Sequence, residues 1–161
     1  MMHDGKELIG LLMVHVDDLL YCGNGKKYED TMNKLKAEVT LTEKTGDFVY
    51  CGKKVIQDKD GIKVTQHNAA MAIQYADIDP RRRKQLSLTL SAEEKTELRR
   101  IIGTIGWLAR QTRYDLLVDN SMLAQRTGNP VISDLVDANK LVKRCQEYAD
   151  HTLVFKANIG I

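Results

Sequence analysis

Asp17 and Asp18 stand side by side in "GLLMVHVDDLLYCG", residues 10–23, a run that is otherwise almost wholly apolar. Two like charges between apolar segments must stay solvated or find a counter-charge, because burying either one unpaired is costly. His15 is the one group within this run that can become cationic. An exposed turn is the plain reading, but a two-residue hairpin prefers Asn-Gly or Asp-Gly, and Asp-Asp supplies neither glycine nor asparagine. The chemistry that suits the pair is binding of a hard divalent cation. Carboxylate oxygens at a strand tip can hold Mg2+ or Mn2+, which keeps waters and shares ligands with phosphates. Two such ions clamp the attacking and leaving oxygens of a phosphoryl transfer, and a third carboxylate from another strand is normally needed to hold both.

The elements that must carry this pair are legible in outline. Leu8 to Val16 and Leu19 to Cys22 read as the strands of a β-hairpin with Asp17 and Asp18 at its tip, ended by Gly23, Asn24 and Gly25. Tyr28, Met32, Leu35 and Val39 recur at helical spacing, which predicts an amphipathic helix over 27–39. "DFVYCGKKVIQ" and "IKVTQ" flank "DKDG", whose Asp60-Gly61 pair suits a hairpin turn, and a short helix over 67–75 follows. "DIDPRRRKQLSLTL" reads as a flexible connector, placing a boundary at 80–90. Its basic residues 81–84 suit a solvated linker, a phosphate contact or a nuclear signal.

Beyond it the pattern is helical. Ser91 and Glu94 form a capping box, and Leu98, Ile101, Ile102, Ile105, Leu108 and Ala109 follow on one face. Gly103 and Gly106 fall inside that helix, where each costs about 1 kcal/mol against alanine, so both are expected to mark a close approach of another backbone. Thr112 and Asp115 repeat the capping pattern and open a helix ended by Gly128. Ser133 can cap a third, with Leu135, Ala138, Leu141, Val142, Cys145 and Tyr148 as its buried stripe, and "TLVF", 152–155, suits a short strand.

Composition narrows the class. At 161 residues, 43% hydrophobic and 29% charged, the chain has the make-up of an ordinary globular protein of one domain or two small ones. The apolar run 8–16 is far too short to cross a bilayer and "MMHDGKE" lacks the flank of a signal peptide, so an intracellular protein with no membrane partner is expected. Cys22, Cys51 and Cys145 form no CxxC pair, and buried thiols are the expectation. Residues 1–80 hold 10 Lys and Arg against 13 Asp and Glu, whereas residues 81–161 hold 14 against 9, which makes the second half the better candidate for touching a polyanion.

Taken in order, these segments resemble one family. "VHVDDLL" is similar to the "YVDD" active-site hairpin of reverse transcriptases, specifically those of copia-type retrotransposons. "VYCG" (49–52) stands where that family has an "FLG" strand, and "DGIKVTQ" (60–66) resembles its following hairpin. "RRIIGTIGWLARQTRYD" (99–115) resembles its "TRPD" helix, and "ANKLVKRCQEYADHTLVF" (138–155) its last helix and strand. The resemblance spans residues 8–155.

It implies an α+β fold: residues 1–79 as the C-terminal part of a polymerase palm, 80–90 as a connector and 91–161 as a helical thumb. Asp17 and Asp18 are then two of three catalytic carboxylates, with Mg2+ or Mn2+ as cofactor. Tyr50, Cys51, Gly52 and Gln66 belong to a hairpin that positions the primer end. His15, in the place of an aromatic, can stack on a primer base, and Arg99, Arg100, Arg110 and Arg113 become candidates for phosphate contacts on a primer-template or RNA. His15, Cys51 and Tyr114, the last in place of the proline of "TRPD", depart from the family pattern. The family's first metal-binding aspartate and its fingers precede the hairpin, so the expectation is a chain inactive alone. It would be either the palm and thumb of an RNA-directed DNA polymerase acting with its missing half, or a non-catalytic retroelement remnant. The remnant would bind nucleic acid, a larger assembly or the parent enzyme.

Overall fold

The computed structural model describes residues 1–157 as an α+β chain with two antiparallel sheets. The last four residues of the expected thumb, 158–161, lie outside the described part. In the first sheet β1 (Met2–Asp4), β2 (Glu7–His15) and β3 (Asp18–Gly23) lie in that order, and α1 (Lys26–Glu38) follows. Gly10 pairs with Gly23, and Tyr28 of α1 lies over both, so that a Cβ at either would collide with its ring. Here glycine is required by close packing of helix on sheet.

The second sheet runs β4 (Asp47–Tyr50), β5 (Lys53–Asp58), β6 (Gly61–Thr65) and β7 (Thr152–Lys156), the last being the strand expected from "TLVF". "DFVYCGKKVIQ" is two strands rather than one. Tyr50 lies opposite Lys53, and the residues between, Cys51 and Gly52, have φ of 47° and 72°. Two successive positive φ values are the mark of a type I′ turn, here with cysteine where asparagine or aspartate is usual, which hid it from turn chemistry. The next turn is Lys59-Asp60, one residue earlier than expected, because Asp58 pairs with Gly61. Its Oδ1 accepts the N–H groups of Asp60 and Gly61 at 2.8 and 3.1 Å.

The helices are α2 (His67–Met71), α3 (Ala92–Gln111), α4 (Leu117–Gln125) and α5 (Ile132–Glu147). α2 stops short of the expected 67–75 because the chain beyond it is held extended: the Asn139 side chain both accepts from the N–H and donates to the carbonyl of Ala76, each at 2.8 Å. The Ser91–Glu94 capping box starts α3 as expected. Thr112 is the C-cap residue of α3 and does not open the next helix; its hydroxyl donates to Gln66 Oε1 at 2.9 Å, and a 3-10 turn (Tyr114–Leu116) leads into α4. α5 begins before Ser133, with Asp134 accepting the Val131 N–H at 2.8 Å.

The core lies among α3, α4 and α5. Leu98, Ile101, Ile105, Leu108, Leu116, Ile132, Leu135 and Val142 are fully buried there, each contributing roughly 1.5–3 kcal/mol by leaving water. Ala70, Ile73, Ala76 and Ile78 join the same core, although they precede residue 80. Among the described residues no strand contributes to it, and no helix is long and apolar enough to cross a membrane.

Candidate metal centre and nucleic-acid interface

The β2–β3 turn is Val16-Asp17, not Asp17-Asp18. Asp18 is the first residue of β3 and faces His15 across the hairpin. Val16 takes φ 55°, a left-handed conformation that a β-branched side chain adopts only under strain of about 1–3 kcal/mol. His15, Asp17 and Asp18 are all exposed, and the ion pairs among the described residues all lie elsewhere. Adjacent free carboxylates on a fixed turn suit Mg2+ or Mn2+ as hard oxygen donors. They form only part of a cage: among the described residues no group of three or more His, Cys, Asp and Glu side chains gathers to hold an ion.

Both faces of the sheet beneath the tip are open, since Leu8 and Val14, on the α1 side by alternation, are 50% and 66% exposed. α1 lies on the face of Gly10 and Gly23. By strand alternation Leu11 and Met13 point to the opposite face, with Leu20 and Cys22 beside them, and there Leu11 is 39% and Met13 57% exposed. Cys22 is thus exposed and Cys51 half-buried; of the three cysteines expected to be buried, only Cys145 is.

Of Tyr50, Cys51 and Gly52, it is Gly52 that comes to rest on the helical half. A Cβ on Gly52 would lie 2.9 Å from the Trp107 ring, and Lys53 Nζ donates to Gln111 Oε1 at 2.8 Å. Gln66 is in this junction too, but at 3% exposure it works from inside, holding Thr112. Gly52→Val adds both a clash and an unfavourable φ, and is expected to cost about 2–3 kcal/mol, read from the denaturant midpoint. A loss under about 0.5 kcal/mol would mean that the turn does not bear on α3.

The four arginines separate. Arg99 and Arg110 are exposed. Arg100 is half-buried, donating to Glu97 at 2.8 Å and to the Gln74 carbonyl at 2.9 Å. Arg113 corrects the expectation of a phosphate contact: it is 1% exposed, donates to both Asp115 oxygens at 2.9 and 2.8 Å and reaches the Cys145 carbonyl at 2.8 Å. Its charge is spent inside the fold, and the ion pair holds the Asp115 carboxyl below the usual carboxylate range.

The two α3 glycines also differ. At Gly106 a Cβ would lie 3.0 Å from Asn120 Nδ2, so the close approach there is made by an α4 side chain and not by the expected backbone. At Gly103 a Cβ would meet nothing within 4 Å, which corrects the expectation of a neighbouring backbone within the chain. Gly103 is exposed between Arg99 and Trp107, with Arg110 further along the same face. Spacings of four, four and three residues align all four on one side of a helix, a signal present in the sequence but masked by its buried stripe.

No protein-family model, curated protein or solved structure matches this chain.

Proposed function

We propose that this chain is the C-terminal palm portion and thumb of a reverse transcriptase of the copia type, inactive by itself and completed by a polypeptide that supplies a third carboxylate. The observation that carries this reading is the free Asp17–Asp18 pair on the strained tip of an exposed β-hairpin. The bare face around Leu11 and Met13 supports it, since a sheet face so exposed suits a palm that is completed by further structure. When bound, Mg2+ or Mn2+ would supply Lewis-acid stabilisation of a transferring phosphoryl group. Asp17 and Asp18 would hold the ion. His15, across from Asp18, would border the primer end, and the Cys51–Gly52 turn, braced by Trp107, would sit beside it.

The exposed residues Arg99, Gly103 and Arg110 of the α3 solvent stripe, flanked by the partly covered Trp107, suit a primer-template duplex. Two cations meet phosphates, and a glycine with open space above it lets a nucleic-acid backbone approach the helix. A stability test and a binding test then point in opposite directions. Gly103→Ala is expected to stabilise the free chain by about 0.5–1 kcal/mol, because alanine is the better helix former, and to weaken binding of an RNA–DNA hybrid several-fold. Thermal melting and fluorescence anisotropy read the two. Unchanged hybrid affinity would remove the stripe from the interface.

Metal occupancy is testable on the chain alone. Mn2+ titrated into the labelled protein is expected to broaden the amide resonances of 16–19 first, and Asp17→Asn with Asp18→Asn to abolish that selectivity. Broadening centred on another acidic turn would reject the hairpin as the metal site.

A further inference from the structure

The connector is not a flexible linker. Asp79 Oδ1 accepts the N–H groups of Arg81 and Arg82 at 2.8 and 3.1 Å, its carbonyl accepts that of Arg83 at 2.9 Å, and a 3-10 turn spans Arg82–Lys84. Arg82 turns inward: Nε and Nη2 donate to the Glu94 carboxylate at 2.8 and 2.7 Å, and Nη2 also reaches the Thr89 carbonyl at 3.0 Å. Backbone bonds from Ile132 to Leu88, Ser133 to Leu86 and Leu90 to Pro130, 2.9 to 3.0 Å long, fasten the segment that follows to the start of α5.

One member of the basic run thus serves as the pin and the other three are presented. Arg81, Arg83 and Lys84 are exposed, and none takes part in an ion pair among the described residues. Three like charges on a turn rising about 2 Å per residue repel one another. A chain with nothing to bind there would gain by relaxing them apart, whereas the Arg82–Glu94 fork holds them together. Two exposed carboxylates precede the run: Asp79, whose Oδ1 is bonded within the turn, and Asp77.

We infer that Arg81, Arg83 and Lys84 form a preorganised cationic cluster that grips the phosphate backbone of a polynucleotide. This site is separate from the α3 stripe. The inference rests on the proposed role in nucleic-acid binding and adds a second point of attachment to it. Glu94, which fixes the turn, lies roughly 140° around α3 from Arg99 at 3.6 residues per turn, so the two basic surfaces face different ways. A protein partner would call for an apolar centre to the patch. Here the cations are flanked by Pro80 and Gln85, and Leu86 alone adds exposed apolar surface. Release of counterions from a polyanion needs no such centre.

The test uses the full chain and a 20-nucleotide single-stranded RNA, with affinity measured by anisotropy over a range of salt. The triple variant Arg81→Gln, Arg83→Gln and Lys84→Gln keeps Arg82 and its fork. It is expected to melt as the parent does and to lower the slope of log affinity against log salt by about 2, roughly 0.7 for each of three phosphates no longer neutralised on a single strand. Arg99→Gln with Arg110→Gln serves as the independent comparison. An unchanged slope in the triple variant alongside a reduced one in the α3 variant overturns the cluster and leaves the proposed function standing. A parent chain that binds neither RNA nor an RNA–DNA hybrid overturns both. In the double variant Arg82→Gln with Glu94→Gln, whose net charge equals the parent's, all three presented cations remain but the pin is removed. Weaker RNA binding there shows that the fixed geometry matters as well as the charge, and unchanged binding overturns the preorganisation.

Discussion

Arg113→Met is expected to destabilise the protein by about 2–3 kcal/mol, because it strips a buried carbonyl of its donor and breaks an ion pair whose carboxylate partner is still reached by water. The guanidinium lies within the core, between the end of α3 and the last turn of α5, and three of its bonds are between 2.8 and 2.9 Å. Methionine fills much of the volume but leaves the Cys145 carbonyl without its donor and the Asp115 carboxylate without its counter-charge. The same pair makes stability depend on pH. Asp115 is held below the carboxylate range by the hydrogen bond from Arg113. The stability this confers is present above the unfolded-state pKa of about 4 and is lost as pH falls through the lower folded value. Chemical denaturation from acid to neutral pH reads both effects: the variant is less stable at neutral pH, and its acid dependence is shallower. A loss below about 1 kcal/mol would show that the core tolerates the pair's removal, and would reopen Arg113 as a surface contact.

Asp17→Asn is expected to lower Mg2+-dependent primer extension about 1,000-fold once the chain is combined with a polypeptide supplying fingers and the third carboxylate. Loss of a metal ligand removes several kcal/mol of transition-state stabilisation, and each ~1.36 kcal/mol is tenfold in rate. Stability should hardly change, since Asp17 is exposed in the turn and its side chain is bonded to nothing among the described residues. Retained melting temperature with abolished extension separates chemistry from folding. Extension at the parent rate would reject the carboxylates as catalytic and leave the chain as a nucleic-acid-binding module. Asp18→Asn should behave alike, whereas His15→Phe, restoring an aromatic across from Asp18, should leave extension within a few-fold.

What the sequence determined is what short-range chemistry determines. The capping box and six-residue apolar stripe placed α3, the period of Tyr28, Met32 and Leu35 placed α1, and "TLVF" marked β7. The carboxylate pair was equally legible, because two charges in an apolar run have few local excuses. Turn registers were not legible. One-residue shifts at Val16-Asp17 and Lys59-Asp60, and the hidden Cys51-Gly52 turn, depend on which side chains the two sheets pair across. Nor could the sequence tell which basic residues are free. Arg82 and Arg113 differ from Arg81 and Arg110 in the carboxylate and the backbone carbonyl that each finds beside it in the fold. Local pattern sets where helices and strands begin, but burial and pairing of charge are three-dimensional facts, and those facts separate an arginine that can meet a phosphate from one that holds the core together.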